Sequence, residues 1–120
     1  MEEFKMKATV TNIGANAISP NEQVMILFGD KEITENLQKV SVAQKFTTPR
    51  QGFQISDEIL IDGEKFEVEY KGKLVDQNFE ELGHITLFFS EVPDTPQHNA
   101  IYLTPHRMPQ VHVGSKIEYC

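Results

Sequence analysis

Turn residues interrupt this chain at strand-length intervals. Gly, Pro, Asn or Asp breaks the apolar pattern before any run grows long enough for a substantial helix. Short apolar runs spaced by about 8–12 residues point to an all-β sandwich or barrel. The sharpest case is Asp62-Gly63, which separates residues 58–61 from residues 65–70. A tight type I′ hairpin needs positive φ at both central residues, and Asp-Gly tolerates it. In the second arm, Phe66, Val68 and Tyr70 then share one face, with Lys65, Glu67 and Glu69 on the other.

The other segments follow the same logic. Phe4, Met6, Ala8 and Val10 alternate with Lys5, Lys7 and Thr9, the period of a half-buried strand. Residues 23–28 are an apolar run closed by Gly29-Asp30. Residues 33–38 fit one helical turn, or a connection into a strand at residues 40–46. Residues 76–83 read as a short helix, with Asp76 as N-cap and Gly83 as its stop. Residues 85–89 (ITLFF) have the β-branched and aromatic content of a buried strand, and residues 100–103 form another. Residues 12–20, 47–52, 94–99 and 105–109 are loops or turns. Residues 111–113 and 116–119, divided by Gly114-Ser115, supply the last extended segments. The expected fold is all-β: a closed or partly closed β-barrel of short strands with one or two short helices. Closure hides strand edges. A partly open barrel would leave edges through which a homo-oligomer could form.

A chain of 120 residues is expected to be a single domain over residues 1–120. The lone cysteine, Cys120, allows neither an internal disulfide nor a Cys-based zinc site, which fits a reducing, cytoplasmic compartment. No apolar run approaches the roughly 20 residues that span a bilayer, and the N-terminus lacks a signal peptide's pattern. The net charge of −7 repels phosphate backbones, so no nucleic-acid partner is expected. Most of that charge falls in residues 57–81, which read as a solvated acidic face. Residues 36–56 hold Lys39, Lys45 and Arg50 and no acid, a stretch suited to an anion or an acidic partner.

No phosphate-binding Gly-rich loop, HExxH or CxxC occurs. His106 and His112 match no common zinc spacing, and His98 falls in a loop, so no metal or cofactor is expected. His84 differs. It follows Gly83 and opens the ITLFF run, a position at a strand end. It suits either a structural ring bonded to backbone or an acid–base or phosphate contact, since imidazole titrates near neutrality.

Two blocks carry a family resemblance. Residues 78–87 (NFEELGHITL) and residues 8–17 (ATVTNIGANA) resemble the glucitol/sorbitol-specific IIA component of the bacterial phosphoenolpyruvate-dependent sugar phosphotransferase system. The resemblance implies a cytoplasmic β-barrel domain. It would take a phosphoryl group from the histidine phosphocarrier protein as a phosphohistidine and pass it to the membrane-bound IIB/IIC components. The family's acceptor histidine lies in the strand matching residues 40–46, and its position falls at about Gln44. A glutamine has no nucleophilic nitrogen, because the lone pair of its amide nitrogen is delocalised. His84, inside the matching block, is then the candidate acceptor, with Lys39, Lys45 and Arg50 as phosphate neighbours. The alternative is a non-catalytic binding or regulatory relative that lost the acceptor histidine.

Overall fold

The computed structural model describes residues 5–19 and 21–120. Phe4, expected in the first strand, and Pro20, expected to end the first loop, lie outside these residues. Eight strands and two short helices follow in chain order: β1 (Met6–Ile13), β2 (Val24–Gly29), α1 (Glu35–Gln38), β3 (Val42–Phe46), β4 (Glu58–Ile61), β5 (Glu64–Lys71), α2 (Val75–Leu82), β6 (Ile85–Phe88), β7 (Ala100–Thr104) and β8 (Lys116–Tyr119). They form a closed barrel in the order β1-β3-β2-β6-β7-β5-β4-β8, and β8 returns to β1. The pairs β2–β3 and β6–β7 are parallel and the others antiparallel. Parallel neighbours need a crossover rather than a tight turn. Residues 30–41, which contain α1, and residues 89–99 supply the two crossovers. The edge-pairing route to an oligomer has no open edge to use among the described residues.

Alternation decides which side chains enter the barrel. Met6, Ala8 and Val10 of β1, Ile59 and Ile61 of β4, and Ile85 and Leu87 of β6 are buried in one core. The hairpin forms as expected: Ile61 pairs with Glu64, and Asp62 and Gly63 have φ of 50° and 83°. The helix α2 buries Val75 and Phe79 one turn apart, and the Phe79 ring meets Tyr119 edge-on with centroids 4.8 Å apart.

The structure corrects three expectations. Leu74, not Asp76, is the N-cap of α2, and no side chain caps this end. The Asp76 carboxylate is engaged elsewhere, accepting from the Ile55 N–H at 3.3 Å and from Lys71 Nζ at 2.8 Å. Residues 111–113 are not a strand, because His112 N–H bonds Ser115 Oγ and Gly114 turns the chain at φ 99°. The third strand starts at Val42, two residues later than expected, after the turn that leaves α1. The acidic stretch keeps its carboxylates at the surface, as expected, and several of them are also paired. Lys65 bridges Glu58 and Glu67, and Asp62 accepts from Ser115 Oγ at 2.7 Å and the Lys116 N–H at 2.8 Å. Those two donors hold the Asp62 carboxyl below its usual range, the Lys116 N–H contributing most.

Candidate functional site

The ELGH block builds a helix stop followed directly by a strand. Gly83 ends α2 in the left-handed region, φ 59°, with its N–H directed at the carbonyls of Asn78 and Phe79. A Cβ at Gly83 would lie 2.7 Å from the Gly29 nitrogen, so glycine is required by both conformation and space. β6 begins two residues later. Ile85 and Leu87 point into the core, so His84, Thr86 and Phe88 take the outer face.

Register places His84 beside β2, where Leu27 pairs with Ile85. The imidazole stacks on Phe28 with centroids 4.2 Å apart and planes 19° apart. Its Nδ1 lies 3.1 Å from the Leu27 carbonyl oxygen. A carbonyl only accepts, so Nδ1 carries the proton in this contact. Partial burial lowers the imidazole pKa below its usual value, and the Leu27 carbonyl opposes this in part. The ring is therefore neutral near pH 7, with its remaining lone pair on Nε2. A groove of 360 Å³ adjoins it. Val24, Ile26, Phe28, Leu37, Val40 and Phe88 give it apolar walls, and Ser41, Thr86, Gln97 and Asn99 contribute polar groups. Ser41 Oγ is buried and has no hydrogen-bond partner among the described residues.

Gln44 lies on the opposite face of the wall, inside the barrel, and is fully buried. Its Nε2 donates to the Gly83 carbonyl at 3.2 Å, and its Oε1 accepts from the Tyr119 hydroxyl at 2.6 Å. Burial pushes the Tyr119 phenol well above its usual range, so it stays protonated and donating. The side chain at the position expected for the acceptor is thus a closed amide bridge within the core.

The three bases are not gathered around His84. Lys39 is the exposed C-cap of α1, and Lys45 projects outward from β3. Lys45 and Arg50 line a separate cavity of 320 Å³ with Lys31, Glu32, Thr47 and Thr48. Arg50 is already committed. Its Nε donates to the Phe79 carbonyl at 2.8 Å, its Nη2 meets Glu32 at 3.3 Å, and its guanidinium covers the Phe46 ring at 4.7 Å. It thereby satisfies a carbonyl at the C-terminal end of α2, where the helix dipole favours a cation. Of the other histidines, His106 Nε2 contacts Glu69 at 2.6 Å, and His98 and His112 are exposed.

Sequence reasoning singled out His84 but missed the residues around it. Ser41, Thr86, Gln97 and Asn99 come from three separate segments with no shared motif. The β2–β6 register is the signal that would have found Phe28. Among the described residues, no three His, Cys, Asp or Glu side chains cluster to hold a metal, and no helix is long and apolar enough to cross a membrane.

Comparison with known proteins adds two findings. The family model of the PTS system glucitol/sorbitol-specific IIA component matches residues 5–118. The crystal structure of a PTS system IIA component from Enterococcus faecalis V583 superposes with a TM-score of 0.85 at 32% identity, covering 94% of this chain and 98% of that one. A search of curated proteins gave no match.

Proposed function

Since the chain belongs to the glucitol/sorbitol-specific IIA component family of the sugar phosphotransferase system, we propose that it relays a phosphoryl group through Nε2 of His84. The group would come from the histidine phosphocarrier protein in the cytoplasm and go to the IIB/IIC components. The observation that carries this reading is the Nδ1 contact with the Leu27 carbonyl, which leaves Nε2 as the available lone pair of a neutral ring.

In the transfer, the Nε2 lone pair attacks the phosphorus held by the carrier's phosphohistidine. The new N–P bond forms as the carrier's N–P bond breaks, and that electron pair leaves with the carrier's imidazole. Nδ1 keeps its proton, and the Leu27 carbonyl stabilises the positive charge the ring acquires. Transfer to IIB reverses the step. Phosphoryl transfer rests mainly on positioning and on neutralising equatorial oxygens. Thr86, Gln97 and Asn99 offer donors in the groove. No lysine or arginine lines it among the described residues, so the neutralising cation arrives with the partner protein.

One observation favours a second reading. The expected acceptor position is sealed by the Gln44 bridge, which suits a relative that binds its partners without accepting phosphate. Incubation with phosphoenolpyruvate, enzyme I and the phosphocarrier protein, followed by intact mass measurement, separates the two. The relay reading expects an acid-labile gain of one phosphoryl group that His84→Ala abolishes. No gain in the unaltered protein favours the binding relative.

A further inference from the structure

A glutamine buried among aromatic side chains is costly unless both ends of its amide are bonded, and an aliphatic residue of similar size would fill the same space without that requirement. Gln44 meets the requirement in a way that reaches the His84 loop. The Gly83 carbonyl can only accept, which fixes Nε2 toward Gly83 and turns Oε1 to the Tyr119 hydroxyl. Gly83 is the left-handed residue immediately before His84, packed against Gly29. The Gln44 backbone carbonyl also accepts from the Asp30 N–H at 2.8 Å, just after Gly29. One residue therefore bonds Gly83 and the residue after Gly29, at the place where β2 and the start of β6 meet. The Leu27 carbonyl that holds the imidazole lies two residues before Gly29.

We propose that Gln44, held by Tyr119, is a positioning residue that fixes the Gly83 turn and so keeps His84 Nδ1 on the Leu27 carbonyl with Nε2 facing the groove. The inference rests on His84 as the acceptor for its functional meaning, but its geometry can be tested apart from phosphorylation. The residue at the sealed acceptor position thus serves the histidine on the other face of the wall. Gln44 touches no reacting atom, so its effect passes through the backbone.

Long-range ¹H–¹⁵N spectra of the histidine rings read tautomer and pKa directly. The unaltered protein should show His84 as the Nδ1–H tautomer, titrating below the ordinary histidine value. Gln44→Leu should mix the two tautomers, move the titration toward the ordinary value and slow phosphoryl uptake about tenfold, the scale expected of a small misplacement. Tyr119→Phe should move the same signals in the same direction by less. Ile61→Val, a core change at the hairpin end of β4, should leave them in place. If Gln44→Leu retains the pure Nδ1–H tautomer and an unchanged titration, the positioning role is overturned. Should Gln44→Leu fail to fold, the Tyr119→Phe spectrum decides by the same criterion. If the unaltered protein takes up no phosphoryl group, the acceptor reading fails, and the ring spectra still decide whether Gln44 positions His84.

Discussion

Gln44 and His84 lie on opposite faces of the same stretch of barrel wall, and their polar groups are treated differently. Inside, both ends of the Gln44 amide are bonded, the Tyr119 hydroxyl is used, and aromatic rings close around them. Outside, one side of the imidazole is bonded to Leu27, and the buried Ser41 hydroxyl has no partner among the described residues. A completed buried network fixes one arrangement. A buried polar atom without a partner is uncommon in a folded chain. The inner face therefore reads as scaffold, whereas the outer face keeps polar groups that the described residues do not fully bond.

Substitutions can break that contrast. Phe79→Ala removes the ring that packs on Tyr119 and Phe46 in the inner cluster. It should cost about 3–5 kcal/mol in urea unfolding. A cost comparable to a surface change would mean that the inner face is not the scaffold. Tyr119→Phe keeps the ring but leaves Gln44 Oε1 buried without its donor. We expect a loss of about 1–3 kcal/mol, and a neutral result would remove the bridge from the argument. Ser41→Ala should act in the opposite direction, holding or raising stability by about 1 kcal/mol, because it deletes an unbonded buried hydroxyl. A clear loss would show that the hydroxyl already has a partner.

The smallest effect is a pH dependence. The pKa of His84 is lowered in the folded state, so unfolding takes up a proton in the window below about 6.5. The stability this contributes is complete above the unfolded value and is lost as pH falls through the folded one. Denaturant midpoints measured from pH 7.5 down to 5 should decline for the unaltered protein and decline less for His84→Phe. Parallel curves would mean that the ring is not desolvated by the groove.

Much of the scaffold was legible because its causes are local. Asp62-Gly63 specifies its hairpin through backbone conformation, and Gly83 ends a helix for the same reason. Alternation in β1 sorted inner from outer side chains. The misses arise where a side chain has competing partners. Asp76 looked like a cap by spacing, but Lys71 and the Ile55 N–H, distant in the pattern, engage its carboxylate. Lys39, Lys45 and Arg50 looked like one basic patch, but strand alternation and the α2 carbonyls disperse them. For the site, His84 could be picked out, whereas its groove depends on registers between β2, β3 and β6 that no local motif encodes.

The position of β8 has a consequence for how the barrel is made. Residues 116–119 pair with β1 on one side and β4 on the other, so they are the stave that joins the two ends of the sheet. Without this stave, β1 and β4 would each keep a bare edge. Such edges invite pairing with other chains, and contacts so distant in sequence form slowly. Closure depends on the same short segment that brings Tyr119 to Gln44. The sealing of the wall and the support beneath Gln44 thus depend on one four-residue strand.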